Sequence, residues 1–375
     1  MRVLFTCWSW PTHLSALVPL ARACRAAGHD VLVAGQPGLR EDIRRAGLPA
    51  AAVGTEVDTV GMVGEYLLPL PGAGRPPAGG KPRATRMLLA HAESMAGDLV
   101  RLIREWRADL VVYDQTALAG PLAAAAAGVP AVRHLYGVDL MWRFRDALPS
   151  ALAPLADRLG ADAFDPFGVA TVDPVPASLQ PPTDYRRLPM RFTPANGSVS
   201  LTARGKRPRV CVSWGHTIAK VAAPRFLAGR IAEALAGSDV EVVLAISAAQ
   251  RDLPGPLPTG TRILLDAPLW PVLSTCDLLV GHGGAASILT ALDHGLPALL
   301  VPQLPDHAGH AGGVAARGAG VVLGLDELSP ATIRKHVERL VAASPEREAA
   351  LEVREEMHAQ PSPADVVAEL VALCG

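Results

Sequence analysis

What most constrains the fold of this chain is a repeated alternation of short apolar runs, glycine- or proline-marked turns and segments of helical periodicity. Val3-Leu-Phe-Thr-Cys7 reads as a buried strand, and Leu14 to Ala27 carries apolar residues at helical spacing. Gly28 stands where a helix C-cap belongs, and Asp30-Val-Leu-Val-Ala-Gly35 reads as the next strand. A strand–helix–strand unit of this kind closes only as a parallel pair with a right-handed crossover.

The alternation continues with helix Thr85–Trp106, strand Asp109–Tyr113, helix Ala117–Ala127 and strand Ala131–His134. Trp142 to Ala163 reads as helical, and Val53 to Pro82, rich in glycine and proline, as a mobile loop. Pro189 to Pro208 breaks the pattern with Asn196-Gly197, prolines and a charge cluster. It then restarts with strand Arg209–Ser213, a turn at Gly215 and helix Pro224–Ala236. Strands Val240–Ile246, Arg262–Leu265, Asp277–Val280 and Ala298–Val301 come next, with helices Ala286–His294, Pro330–Ala342 and Pro361–Leu373. The expected fold class is α/β, with two doubly wound Rossmann-like domains facing each other across a cleft. The expected bounds are 1–190, a linker over 191–208, a second domain over 209–358, and a final helix over 359–375 that packs back on the first domain.

Composition narrows the function. Half of the 375 residues are apolar, enough for two cores, and a net charge of −1 gives no electrostatic case for nucleic acid or an anionic membrane. Lys81, Lys206, Lys220 and Lys335 are the only lysines, a bias read as that of a GC-rich genome. The five cysteines are odd in number, scattered and without a C-x-x-C pair, which fits reduced thiols of a cytoplasmic protein. The apolar stretch Ala117–Val132 is broken by Gly120, Pro121, Gly128 and Pro130, so no membrane span is expected. Nothing in the sequence decides between a monomer and a homodimer.

The segment Val280-Gly-His282-Gly283-Gly284-Ala285-Ala286-Ser287 places glycines between a strand end and a helix start. The first turn of a helix has unpaired N–H groups and about half a positive charge, a natural seat for phosphate. His282 adds a ring donor and Ser287 a hydroxyl. The flanking residues make the pattern specific: Pro268 before it, then Gly295-Leu-Pro297, Pro302, Asp306-His307, His310-Ala311 and Gly318-Ala-Gly320. The stretch Asp266 to Leu323 resembles the nucleotide-sugar signature of GT-B glycosyltransferases. It is most similar to the bacterial enzymes that decorate macrolides, enediynes, glycopeptides and other natural products.

The resemblance implies a role for each part of the motif. Ser213, Gly215 and Thr217, with His282, Gly283, Gly284, Ala285, Ala286 and Ser287, flank the diphosphate. Backbone near Ala267 and Leu269 pairs with the pyrimidine, and Asp306 and His307 reach sugar hydroxyls. Ala286 replaces a frequent glycine and His307 the common glutamine. Asp266 stands where the family often has an aromatic, which leaves Trp270, Trp214 or neither to stack on the base. The donor is expected to be a dTDP-sugar or UDP-sugar, dTDP favoured, used as a substrate, with no cofactor.

Glycosyl transfer needs a base, since a protonated hydroxyl is a poor nucleophile. His13 comes after the first strand and opens its helix, where the helix N-terminus disfavours imidazolium. Asp114, at the end of Asp109-Leu-Val-Val-Tyr-Asp114, is the carboxylate expected to orient the ring. The segments starting at His13 and at Tyr113 also resemble those that carry this pair in the family. The acceptor is expected to be a large apolar aglycone lined by Met62, Leu67, Met87, Tyr136, Trp142 and Phe144. Asp306, His307 and His310 carry a metal-like spacing, yet no D-x-D pair accompanies them, and transfer is expected to be metal-independent and inverting. Two rivals are a non-catalytic nucleotide-sugar-binding protein and a nucleotide-sugar epimerase or hydrolase on the same fold.

Overall fold

The computed structural model describes residues 1–70, 83–161, 163–194 and 205–374. The N-terminal sheet contains β1 (Arg2–Thr6), β2 (Asp30–Gly35), β3 (Ala50–Ala52), β4 (Leu110–Asp114), β5 (Ala131–His134), β6 (Ala170–Asp173) and β7 (Arg187–Pro189). Its order is β3-β2-β1-β4-β5-β6-β7, with every pair parallel. The C-terminal sheet contains β8 (Arg209–Ser213), β9 (Glu241–Ile246), β10 (Arg262–Leu265), β11 (Leu278–Gly281), β12 (Ala298–Leu300) and β13 (Gly320–Val322). Its order is β10-β9-β8-β11-β12-β13, again all parallel.

The strands are continuous apolar runs because helices cover both faces of each sheet. Leu4, Val111 and Tyr113 face a core shared with helix Arg83–Trp106. Val3, Phe5 and Val112, one residue out of phase, face helix Pro11–Ala26 on the other side. The second sheet repeats the scheme. Val210 and Val212 pack with Ile231, Ile333 and Val337, while Cys211 and Leu279 pack with Ile288, Val353 and Met357. The last helix, Pro363–Ala372, returns to the first domain, where Val366, Val367 and Leu370 join the core under helix Pro11–Ala26. Arg191 N–H donates to Pro361 O at 2.6 Å beside this return.

Both sheets reverse their winding direction at one point, between β1 and β4 in the first and between β8 and β11 in the second. Ligands of doubly wound sheets bind at such switch points, beyond the carboxyl ends of the strands. His13 lies just beyond β1 and Asp114 ends β4; Gly215 lies just beyond β8 and His282 just beyond β11.

Some local expectations give way. The Val53–Pro82 segment is not loop throughout: Thr59–Gly64 is a short helix, capped by Asp58 accepting from Gly61 N–H. Positions 71–82 of it, and 195–204 of the expected linker, lie outside the described residues. The Trp142–Ala163 region splits into a 3₁₀ turn, Met141–Phe144, and a helix, Leu148–Leu159, with prolines at 149 and 154. Helix Pro224–Ala236 shrinks to Ala228–Ala234, because Pro224 belongs to a separate 3₁₀ turn. All five cysteines are free thiols, and among the described residues no helix is long and apolar enough to cross a membrane.

Candidate active site

Between the two sheets lies a cleft of about 700 Å³ lined from both halves. On the N-terminal side His13 Nδ1 stands 2.5 Å from Asp114 Oδ2. Asp114 is fixed from three further directions. Trp8 N–H donates to its Oδ2 at 3.3 Å, and the N–H and hydroxyl of Thr116 donate to its Oδ1 at 2.9 and 3.1 Å. Burial pushes the Asp114 carboxyl up, but His13 and the Thr116 and Trp8 donors outweigh it and hold it below the usual carboxylate range. The carboxylate is sealed, with 2% of its side chain exposed, whereas 13% of His13 is exposed and lines the cleft. With Nδ1 occupied by Asp114, Nε2 is the ring nitrogen left for a substrate. Tyr136 packs on the imidazole with ring centroids 4.3 Å apart.

On the C-terminal side helix Ala285–Asp293 begins at the cleft, with Gly284 as its N-cap and no side chain capping it. Ala285, Ala286 and Ser287 line the cleft, with Ser213, Gly215, Thr217 and Gly284 around them. His282 lies wedged between two glycines. A Cβ on Gly215 would stand 2.5 Å from its Cε1, and one on Gly284 2.6 Å from its Nε2. Burial pushes the His282 imidazole down to about 3, so the ring is neutral. Gly283 is absent from the lining. Its φ is +93°, and a Cβ there would meet His307 O at 2.8 Å, so it serves the turn and not the ligand wall.

Asp306 and His307 open helix Pro305–Ala316 and line the cleft. Burial pushes the Asp306 carboxyl up, while His307 and His310 together pull it below its ordinary value. Burial holds His310 down at about 4, leaving an anionic carboxylate beside neutral rings. Among the described residues no group of three or more His, Cys, Asp or Glu side chains is placed to hold one metal ion.

Of the residues assigned to the acceptor, Met87, Tyr136 and Phe144 line the cleft. Met62, Leu67 and Trp142 do not. The short helix at Thr59–Gly64 turns Val63 and the nearby Tyr66 to the cleft in place of Met62 and Leu67. The 3₁₀ turn at Met141–Phe144 sends Phe144 to the cleft and Trp142 away from it, edge-on to Phe167 at 4.9 Å and to Tyr185 at 5.1 Å. Trp214 is fully buried and donates Nε1–H to Gln303 Oε1 at 2.9 Å, which removes it from contact with any base. Ala267, Leu269 and Trp270 line the cleft beside Thr290, whose hydroxyl donates to Ala286 O at 2.6 Å. Sequence reasoning missed Thr290 and Gln250; Gln250 Nε2 donates to Gly215 O at 2.5 Å and steadies that turn. No motif flags an isolated glutamine on a 3₁₀ turn.

Two switch points that present an imidazole–carboxylate pair and an uncapped helix start to one cleft define a GT-B glycosyltransferase, and the comparisons agree. Family models described as "Erythromycin biosynthesis protein CIII-like" match residues 22–68 and 78–215 (N-terminal domain) and 229–373 (C-terminal domain). The chain belongs to this erythromycin biosynthesis protein CIII-like family. Among curated relatives, it is 34% identical to 10-deoxymethynolide desosaminyltransferase of Streptomyces venezuelae, over all of this chain and 97% of that protein. It is 35% identical to L-demethylnoviosyl transferase of Streptomyces niveus, over 99% of this chain and 98% of that protein. Among solved structures it matches glycosyltransferase VinC in complex with dTDP at TM-score 0.83 and 31% identity, over 100% and 99% of the two chains.

Proposed function

We propose that the chain is an inverting glycosyltransferase that moves a deoxysugar from dTDP to a hydroxyl of a large apolar, polyketide-like aglycone. The observation that carries this reading is the pairing across one cleft of the His13–Asp114 dyad with the uncapped start of helix Ala285–Asp293. The acceptor hydroxyl gives its proton to His13 Nε2 as its oxygen attacks C1 of the sugar. The C1–oxygen bond to phosphate breaks, and its electron pair leaves with the nucleoside diphosphate. One in-line displacement inverts the anomeric centre. Asp114 balances the imidazolium, while the helix start and the neutral His282 take the growing charge on the diphosphate. Positive potential from the helix does the work that a divalent ion would otherwise do, and the reading is therefore metal-independent.

The preference for dTDP draws support from relatives solved with that nucleotide, VinC and spinosyn rhamnosyltransferase SpnG among them. The aglycone class draws support from relatives named for 10-deoxymethynolide and erythronolide acceptors, and from the apolar wall of Met87, Leu88, Phe144 and Met190. The test is a thermal-shift comparison of dTDP, UDP, GDP and CDP, followed by transfer assays from dTDP-sugars with and without EDTA. The expected result is a response led by dTDP, and EDTA-insensitive transfer whose product has inverted anomeric configuration by NMR. A response to none of the four nucleotides, or loss of transfer in EDTA, would count against it.

A further inference from the structure

On its N-terminal side the cleft wall carries one full charge. Apart from the His13 imidazole, Arg143 is the only charged side chain among the described residues of that half that line the cleft. The two lining carboxylates, Asp266 and Asp306, both belong to the C-terminal half. Around Arg143 the wall is apolar, with Leu140, Met141 and Phe144 supplied by the same stretch of chain. Other exposed arginines of this half meet acids. Arg86 pairs with Glu65, Arg158 with Glu93 at 3.0 Å, and Arg145, two residues on, with Asp146 at 3.8 Å. Arg143, itself exposed, has no such partner among the described residues.

The 3₁₀ turn that presents Arg143 is braced from behind. Trp142 N–H donates to Asp139 Oδ1 at 3.1 Å, and Arg133 Nη2 donates to Asp139 Oδ2 at 2.7 Å, with both members of that ion pair buried. The Arg133 guanidinium stands 4.6 Å from the Phe167 ring centroid and 4.7 Å from that of Tyr185. These are the two rings that hold Trp142 edge-on. With Trp142 anchored there, Met141, Arg143 and Phe144 are left to the cleft. An apolar aglycone filling the cleft would take water from the Arg143 guanidinium, a cost left uncompensated unless the ligand brings an anion. The planar fork of a guanidinium matches a carboxylate through two parallel N–H···O bonds.

We propose that Arg143 is a specificity-determining residue of the acceptor site, and that the acceptor it selects is an apolar aglycone carrying a carboxylate. The inference rests on the reading of the N-terminal wall as the acceptor side. The probes are rhein, a dihydroxyanthraquinone carboxylate, and rhein methyl ester, which share rings and hydroxyls and differ by one charge. Calorimetry compares their binding to wild type, Arg143→Gln, Arg143→Lys and Arg145→Gln. Wild type is expected to bind rhein about ten-fold more tightly than the ester, the scale of one charge-assisted pair, with the preference shrinking as salt rises. Arg143→Gln should abolish the preference and leave both the ester affinity and Tm unchanged. Arg143→Lys should keep part of it, and Arg145→Gln all of it. An ester bound as tightly as the acid by wild type, equal losses for acid and ester in Arg143→Gln, or the same loss in Arg145→Gln would overturn the proposal and leave the apolar acceptor reading standing. Wild-type protein that binds neither anthraquinone would overturn both.

Discussion

His13 Nδ1 and Asp114 Oδ2 meet at 2.5 Å although 101 residues separate them. The meeting is a consequence of topology: β1 and β4 are neighbours, with Thr6 opposite Tyr113, so the turn leaving β1 lies beside the last residue of β4. Removing the base by His13→Ala is expected to lower kcat by roughly 10²–10⁴-fold with little change in donor KM. Asp114→Asn keeps the shape but not the charge that stabilises imidazolium, and the expected loss is as much as about 10⁴-fold. Steady-state kinetics at saturating donor checks both. Wild-type kcat in either variant would contradict the base assignment.

The buried histidines make the fold acid-sensitive. Burial holds His91, His134 and His310 at about 4 and His282 at about 3. In the unfolded chain a histidine takes up its proton near 6.5. Between pH 6.5 and about 4 the unfolded state thus binds more protons than the folded one, and stability falls as pH falls. Asp114 acts lower still. Its depressed carboxyl contributes stability above the unfolded value of about 3.9, which is lost as pH drops through the folded value. The expected Tm declines steadily from pH 6.5 to 4. His134→Leu, outside the cleft lining, should flatten that limb by up to about 1.4 kcal/mol per pH unit. A Tm independent of pH over this range would contradict the neutral, buried state of these rings.

Gly137 marks where the halves touch. A Cβ there would stand 2.5 Å from His310 Cε1 and 2.7 Å from Ala285 Cβ. Gly137→Ala is expected to wedge the cleft open, at a cost of about 1–3 kcal/mol for overpacking, and to depress kcat while the domains stay folded by circular dichroism. Unchanged kcat and Tm together would show that this approach is not part of the working arrangement.

Trp142 and Phe144, two residues apart, should separate cleanly. Trp142→Ala removes a ring packed on Phe167 and Tyr185 and is expected to cost on the order of 3 kcal/mol of stability, with acceptor KM in the surviving folded enzyme unchanged. Phe144→Ala should raise acceptor KM with a smaller effect on Tm. The reverse pattern would put Trp142 at the acceptor.

Much of the architecture is readable from the chain, for physical reasons. Runs such as Val3–Phe5 and Leu278–Val280, bounded by turn residues, read as buried strands, and glycines at 283 and 284 mark a backbone turn. The parts not readable are those decided by tertiary packing. Helix Pro305–Ala316 carries glycines at 309, 312 and 313 and no apolar stripe, so its helicity depends on what it packs against. β3, β6, β7 and β13 carry no strand signal of their own and are strands through their pairing with β2, β5, β6 and β12. Which of Trp142 and Phe144 faces the ligand is set by a 3₁₀ turn, where helical spacing misassigns faces. The hydrogen bond from Trp270 Nε1–H to Asp293 Oδ2 joins residues 23 apart and carries no local signal.

Transfer by this mechanism depends above all on the start of helix Ala285–Asp293 receiving the departing nucleotide's charge across from His13. The most direct measurement is a crystal structure with dTDP bound. The expected result places the β-phosphate within hydrogen-bond distance of the backbone N–H groups of Ala285 to Ser287, facing His13. Nucleotide bound elsewhere, or with its phosphates turned away from that helix, would contradict the mechanism.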